Sequence, residues 1–393
     1  MNLKKEYRVD RRLNSFISKL DIKSIFYKLG LKGLIMTIHI GFAADLGIDR
    51  SQIMGFYKEH WVRKIALSDE FFHRWQFEEA PYNLGVNSCV LAVKNDQILG
   101  VMGLNRRSFN LSGNIKSGAE LTTWVVDRNI RGSSSGAKIL NFITNNFEFL
   151  VGMGITQDAL PIYLRLKFRY LRYIPRYIYI INAKKILSIS QHNSFAFKLL
   201  KPISLQKHDV KYEQIFWHEV KESPNVGGNH FSRTIKDMIW RYDEHPYFNY
   251  LSFKTYTNKS NVGYVVLRSE ITNKAKILHV IDILGNEESY EFSIQFIETY
   301  AKINDYWAID MFSTYAPLNK YFNQRGWLSA VDASFINIPY LFHPLEVRKP
   351  ATTSMIYWSR HNETSFYNVS DLYISKQDAD LDRPTMDYIK AKK

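Results

Sequence analysis

Between residues 34 and 185 the apolar positions alternate between a two-residue period and a helical one. Leu34 to Ile40 reads as a strand. Asp49 stands where a helix cap belongs, ahead of Ile53, Phe56, Tyr57 and Trp61 at helical spacing. Cys89 to Val93 and Ile98 to Leu104 read as strands joined by the turn Lys94-Asn95-Asp96-Gln97, and Glu120 to Val126 as a third. A helix follows at Ala137 to Leu150, with Ile139, Leu140, Ile143, Phe147 and Leu150 on its apolar side. Gly152 to Thr156 reads as a short strand, Ile162 to Leu166 as a helix, and Tyr170 to Ile181 as one long alternating strand. Strands and helices interleaved in this way predict an α/β (α+β) fold, a mixed sheet flanked by helices.

The second half repeats the pattern. Trp75-Gln76-Phe77-Glu78-Glu79-Ala80-Pro81-Tyr82 aligns without gaps on Trp240-Arg241-Tyr242-Asp243-Glu244-His245-Pro246-Tyr247. Around the second copy, Phe231 to Tyr242 reads as a helix, and Asn261 to Glu270 and Lys276 to Leu284 as strands. A helix at Tyr290 to Ile303 and a strand at Trp307 to Phe312 complete it. The expected organisation is an N-terminal extension (1–33), two duplicated domains (34–190 and 191–349) and a polar, less regular tail (350–393) holding Asp378 to Pro384.

Composition narrows the partners. The 393 residues are 46% hydrophobic and carry a formal charge of +14, which favours anionic ligands such as phosphorylated small molecules. No run of five basic residues occurs, so nucleic acid is not the expected partner. The alternating basic and aromatic positions from Tyr163 to Tyr177 fit a strand with one solvated face equally well. Cys89 is the only cysteine, which excludes an intrachain disulfide and points to a reducing compartment. Met1 to Glu6 is charged and leads into no signal-type apolar core, so the expectation is a cytoplasmic protein without a transmembrane segment.

The sharpest local feature runs from Glu120 through Val126 into Arg131-Gly132-Ser133-Ser134-Ser135-Gly136, a strand feeding a small-residue turn that opens a helix. Such a turn presents backbone N–H groups at the positive end of a helix dipole, a site for phosphate. Its spacing is neither that of a Walker loop nor that of a dinucleotide fingerprint.

Arg131-x-x-Ser134-x-Gly136 resembles the Arg/Gln-x-x-Gly-x-Gly/Ala signature of the GNAT (GCN5-related N-acetyltransferase) superfamily. Ala159-Leu160-Pro161-Ile162-Tyr163, continuing to Lys167-Phe168, resembles that family's Ala-x-x-Leu-Tyr-x-x-x-Gly-Phe segment. The departures are Ser134 and Lys167 at glycine positions and Thr156 where relatives often carry asparagine. The resemblance implies a tandem GNAT fold, acetyl-CoA as cosubstrate, and no metal.

It also implies roles. Arg131, Gly132, Ser133, Ser134, Ser135 and Gly136 would grip the CoA pyrophosphate. Val125 and Val126 would hydrogen-bond the pantetheine arm through their backbone, with Thr156 nearby. Tyr163 would be the general acid that protonates the departing thiolate; in a chain with 25 tyrosines a plain core tyrosine is the alternative. Glu120 is the candidate general base, with His60, His73, Glu78 and Glu79 as other candidates and the last three as candidate acceptor contacts. The second domain lacks an arginine-led turn after its Ile277 to Leu284 strand, and two carboxylates, Glu287 and Glu288, stand there instead. One CoA site is therefore expected, with the second copy shaping the acceptor pocket. The acceptor implied is a small-molecule amine, with a nucleotide-linked amino sugar for surface-polysaccharide synthesis as the specific expectation. The competing readings are a peptidoglycan-bridge type of aminoacyl transfer and a non-catalytic binding module.

Overall fold

The computed structural model describes residues 37–130, 134–200, 208–257, 262–272, 274–342, 345–361, 368–378 and 382–393. The expected N-terminal extension, the first residues of the Leu34–Ile40 strand, and Arg131, Gly132 and Ser133 lie outside the described residues.

The first half contributes β1 (His39–Phe42), α1 (Arg50–His60), α2 (Glu70–Phe77), β2 (Val90–Lys94), β3 (Gln97–Leu111), β4 (Asn114–Val126), α3 (Ser135–Asn146), β5 (Phe149–Met153), α4 (Leu160–Arg165), β6 (Arg169–Leu171) and β7 (Arg176–Ile180). Asp49 caps α1 through a capping box with Gln52, as its position in the sequence suggests. The β2–β3 hairpin closes on Asn95 and Asp96, both at positive φ (49° and 61°), the conformation that a tight turn of this hand requires. Along β2 the side chains alternate between two cores. Val90 and Ala92 face Ile139, Leu140 and Ile143 of α3, whereas Leu91 and Val93 face Ile53, Phe72 and Trp75 of α1 and α2. The sheet is therefore covered by a helical layer on each side.

The second half contributes β8 (Lys211–Ile215), β9 (Asn229–Phe231), α5 (Ile235–Met238), β10 (Tyr250–Tyr256), β11 (Val262–Ile271), β12 (Lys276–Gly285), α6 (Glu287–Ile303), β13 (Ala308–Phe312), α7 (Ala316–Gln324) and β14 (Leu328–Ser329). Beyond them come β15 (Met355–Ser359), β16 (Leu372–Tyr373) and α8 (Met386–Lys392). The long helix expected at Phe231 to Tyr242 is instead a short strand, then α5, then a wide helical turn at Ile239–Asp243.

Two mixed, mostly antiparallel sheets result. The first runs β1-β2-β3-β4-β5-β15-β6, with β9 and β16 attached at the far end of β3. The second runs β14-β7-β13-β12-β11-β10-β8. In the main run of each sheet one parallel contact (β4 with β5, β12 with β13) sits among antiparallel neighbours, and β9 pairs with β16 in parallel at the end of the first.

The sheets trade strands. β7, from the first half, pairs with β13 of the second sheet, and β15, from the far end of the chain, pairs with β5 of the first. The boundaries expected near residues 190 and 349 therefore do not follow sheet membership. The segment expected as an irregular tail supplies a buried strand, and the run read as one strand from Tyr170 to Ile181 divides at Pro175 between the two sheets. Each sheet thus includes a strand from outside its own half of the chain.

Candidate active site

β4 and β5 pair only from Gly118–Phe149 to Leu121–Gly152. Beyond that point β5 ends while β4 continues to Val126, leaving a wedge along one edge of β4. A bulge between Met102 and Leu104 in the β3–β4 ladder adds a residue to β4 at this place. The Asp127 amide donates to the Leu99 carbonyl at 2.9 Å, and bonding in an antiparallel ladder alternates. Val125 therefore bonds toward β3, while Trp124 and Val126 turn their N–H and C=O toward the wedge. Of the two residues singled out in the sequence, Val126 turns its backbone to the wedge and Val125 turns it to β3; Trp124, not singled out there, also turns to the wedge.

The N-terminus of α3 stands at the mouth of the wedge. Its cap, Ser134, has φ 62° and makes no side-chain cap hydrogen bond, and its first turn holds no acidic residue. Gly136 is needed for packing, since a Cβ there would stand 2.9 Å from Cζ2 of Trp124. Ser135 and Gly136 are buried, Ser134 exposed. Tyr163, on α4, is buried with its ring edge-on to Trp124 at 5.3 Å and to Phe168 at 5.1 Å. Burial pushes its phenol well above the ordinary value and keeps it protonated at neutral pH. Lys167, two residues past the end of α4, has φ 64°. The two positions where the resembled signature carries glycine, Ser134 and Lys167, thus both hold left-handed backbone. The indole Nε1 of Trp124 is buried with no hydrogen-bond partner among the described residues.

The second sheet has the same wedge, but it is filled. β12 pairs with β13 only as far as Val280–Met311. Beyond it the Tyr373 hydroxyl accepts from the Ile283 amide at 3.0 Å and donates to the Ile283 carbonyl (2.8 Å) or to Asp282 Oδ1 (2.6 Å). The following helix, α6, is capped by the Asn286 side chain and begins with Glu287 and Glu288. Those carboxylates suit the helix dipole and repel an incoming phosphate.

The other residues singled out in the sequence are dispersed. Glu120 is buried in an ion cluster, bonded to Arg107 at 2.5 Å and Asn105 at 3.1 Å, and so does not stand free as a base. Burial raises its carboxyl while Arg107 opposes the rise. His73 is fully buried on α2 beside Tyr57 and Phe77, and burial lowers its imidazole to about 3. Glu78 bonds Arg50 and Asn87, and Glu79 bonds Arg74 at 2.7 Å on the surface. Thr156 accepts the Ala159 amide at the start of α4, and His60 lies 3.8 Å from Asp127. Of these residues, Glu120, Glu78 and Glu79 are engaged by cationic side chains, and His73 is enclosed in the core.

The segment around Asp378 has a clear place. Asp378 takes two hydrogen bonds from Arg233 (2.8 and 2.7 Å) and one from Arg107 (3.1 Å), and Arg233 also bonds Asp282 at 3.0 Å. Asp382 is held by Arg268 at 2.8 Å and Tyr250 at 2.7 Å. The chain's last stretch is thus tied to both sheets by buried charges. Residues 379–381 lie outside the described residues. Between the sheets, next to this stretch, a crevice opens among Trp75, Trp240, Asn105, Arg241, Gln377 and Arg383. Arg383 Nη1 donates to Thr123 Oγ1 at 2.9 Å, which joins the crevice to the open part of β4. Nothing in the local sequence marks Asn105, Arg241 or Gln377, because they converge only through the fold.

No protein-family model matches the chain, and no curated protein does. Among solved structures it is similar to a GCN5-related N-acetyltransferase from Anabaena variabilis, at 12% identity, covering 82% of this chain and 72% of that one with a TM-score of 0.48. A GCN5-related N-acetyltransferase from Kribbella flavida gives 12% identity, 82% and 70% coverage, and a TM-score of 0.46. Saccharomyces cerevisiae N-myristoyltransferase with bound myristoyl-CoA gives 8% identity, 83% and 80% coverage, and 0.43. At these scores the likenesses assign neither a family nor an activity.

Among the described residues no group of three or more His, Cys, Asp or Glu side chains is placed to hold a metal ion, and no helix is long and apolar enough to cross a membrane.

Proposed function

We propose that this protein is an acyltransferase that takes an acetyl group from acetyl-CoA and delivers it to an amine by direct attack. The observation that carries the reading is the asymmetry of the two wedges. The second is closed by Tyr373 and followed by a capped, acidic helix start. Among the described residues, the first has a β4 edge without a neighbouring strand, no side-chain cap from Ser134 on α3, and no partner for the Trp124 indole N–H.

The residues present fit the cosubstrate. The first turn of α3 would hold the pyrophosphate, with Ser134, Ser135 and Gly136 giving backbone room. Trp124 and Val126 would hydrogen-bond the pantetheine amides along the open edge. Acetyl-CoA itself supplies the activated thioester. Tyr163, protonated and beside Trp124, would give its proton to the departing sulfur. Glu120 is better read as a positioning residue for Arg107 than as the base. The acceptor is a small-molecule amine; a nucleotide-linked amino sugar is one member of that class.

Hydrogen exchange with and without acetyl-CoA tests the reading. Protection is expected at residues 122–126 and 134–140, and none at 281–285. Absence of saturable acetyl-CoA binding up to millimolar concentration, or protection confined to the second copy, overturns it.

A further inference from the structure

Between Ala159 and His208 the sequence carries no Asp or Glu, while ten of the chain's 52 Lys and Arg fall there. These fifty residues therefore supply most of the net charge of +14. Arg176 is neutralised in the core by Asp310. Lys184, Lys185 and Lys198 are exposed, and none of them forms an ion pair among the described residues; Lys185 lies over the Trp307 ring at 5.2 Å.

The three lysines belong to one small structural unit. Two short helices, Ala183–Leu187 and Ala196–Leu199, lie against each other. The turn between them is fixed by Gln191–His192, which pairs antiparallel with Ile336–Asn337, and by the Asn193 amide, which donates to the Phe335 carbonyl at 3.0 Å. Ile186 and Ala196 are fully buried, and Leu200 joins Ile186 in the cluster of Ile178, Ile277 and Ala308. The core thus uses Ile186, Ala196 and Leu200. It does not account for Phe195, Phe197 and Leu199, which are 49%, 62% and 53% exposed. A single exposed apolar side chain is ordinary, but three large ones within five residues make a surface feature that calls for a partner.

The charge around these side chains selects the partner. The segment that pairs with the unit, Ser329 to Asn337, brings one carboxylate, Asp332, against the three lysines. Two copies meeting through this face would bring their lysines together with little to neutralise them. The apolar centre of a protein interface is depleted in lysine, whereas here Lys198 stands between Phe197 and Leu199. Nucleic acid would use the lysines and stack on flat rings, which leaves Leu199 without a purpose. An anionic lipid surface uses both kinds of group: phosphates meet the ammonium ions, and the apolar side chains enter the headgroup layer between them. The long lysine stems let the charges stay at the phosphates while the rings go deeper.

We propose that this face seats the protein on an anionic membrane surface, with Phe195, Phe197 and Leu199 inserted among the headgroups and Lys184, Lys185 and Lys198 on their phosphates. The attachment is peripheral and reversible. It uses no residue of the wedge, so it stands or falls independently of the acyl-transfer reading.

Vesicle co-sedimentation of the full-length protein tests this, with vesicles of pure phosphatidylcholine against vesicles in which about a third of the lipid is phosphatidylglycerol. The anionic vesicles are expected to bind about 10-fold or more tightly, and the preference should shrink as salt is raised. Phe195→Ser, Phe197→Ser and Leu199→Ser, made together, should weaken binding about 10-fold or more. Lys184→Gln, Lys185→Gln and Lys198→Gln, made together, should remove the preference for anionic lipid. All six side chains are exposed, so thermal midpoints should stay near that of the wild type. A polarity-sensitive fluorophore on Ser194→Cys reads the location separately, since Cys89 is buried and stays unlabelled. Its emission should shift to the blue on anionic vesicles, and that of the same label on Ile115→Cys, 69% exposed at the β3–β4 turn, should not. Equal affinity for the two kinds of vesicle, full binding by the serine variant, or a shift at Ile115→Cys in place of Ser194→Cys overturns the proposal. So does a serine variant changed only by a smaller mass in solution, which would make the face a contact between copies. A lysine-variant defect seen with a single-stranded oligonucleotide and not with vesicles overturns it as well.

Discussion

The indoles of Trp75 and Trp240 stack with centroids 4.8 Å apart and planes 16° from parallel, and each donates its Nε1–H to the other's backbone carbonyl. The distances are 3.0 Å from Trp75 and 2.9 Å from Trp240. The two residues are also the first matched pair of the repeated segment, so the duplicated sequences meet at a local two-fold axis. Neighbouring contacts repeat the symmetry approximately: Tyr82 bonds Ser232, and its counterpart Tyr247 bonds Asp69.

The pair should therefore act as a unit. Trp75→Ala is expected to cost about 3–5 kcal/mol, as for a large buried aromatic, and Trp240→Ala a similar amount. Because the residues exchange both hydrogen bonds, the double variant should cost less than the two singles together, by about 1–3 kcal/mol. Urea unfolding of the four proteins measures this. Additive losses would show that the rings do not support each other.

Much of the layout was legible in the sequence because it is local. Asp49 and Gln52 spell a capping box, Asn95-Asp96 a tight hairpin turn, and the α3 periodicity its buried face. The exchange of β7 and β15 was not legible. Alternation in Arg176–Ile180 says which residues share a face, not which sheet they join, and Met355–Ser359 is too short to stand out in a polar tail. At the candidate site, the strand–turn–helix order ahead of α3 and the helix bearing Tyr163 were readable in the sequence. The edge that Trp124 turns to the wedge depends on a bulge, and the convergence of Asn105, Arg241 and Gln377 on the packing of distant segments.

Ser134 and Lys167 carry side chains at φ 62° and 64°, where a Cβ costs roughly 1–2 kcal/mol. Replacing either with glycine relieves that strain but loosens the unfolded chain, which returns about 0.4–1 kcal/mol. Ser134→Gly and Lys167→Gly should each stabilise the protein by about 0.5–1 kcal/mol, and Lys167→Ala, which keeps the Cβ, should not. Thermal midpoints decide the matter. A lower midpoint for both glycine variants would contradict the left-handed backbone.

Stability should fall as the pH drops from 6.5 toward 4.5, and histidines supply the slope. Burial lowers His73 to about 3 and His230 to about 4, and it holds His245 well below its usual range. His245 Nδ1 already accepts the Phe248 amide at 2.9 Å, which leaves no lone pair there for a proton. Each of these groups is neutral when folded and takes a proton on unfolding. The unfolded chain thus binds more protons between the folded value and about 6.5, and each group adds up to about 1.4 kcal/mol of loss per pH unit. Glu270, pushed down to about 2 by its His279 and Arg268 partners against the cost of burial, takes up protons only on unfolding as the pH nears about 4.5, so it adds a small loss in the same direction at the low end of this window. Glu120 and Asp282, raised by burial, pull the other way. Comparing wild type with His73→Leu isolates one contribution: the variant's urea midpoint should change less between pH 6.5 and 4.5. An unchanged slope would mean that His73 is solvated.

Tyr163 gives the sharpest test of chemistry. Its ring is fixed by Trp124 and Phe168, and burial keeps the hydroxyl protonated, so Tyr163→Phe removes one proton donor while leaving the packing in place. If the hydroxyl protonates the departing thiolate, kcat should fall by about 10²-fold or more with acetyl-CoA affinity nearly unchanged. Because the phenol is raised by burial, wild-type activity should show no loss from its ionisation up to about pH 9, well below where even an ordinary tyrosine titrates. A core tyrosine without a chemical role would give the opposite pattern: Tyr163→Phe would turn over at the wild-type rate, and only Tyr163→Ala, which opens a cavity under Trp124, would lose activity together with stability. Thiol-release kinetics and unfolding midpoints on the two variants distinguish these outcomes directly.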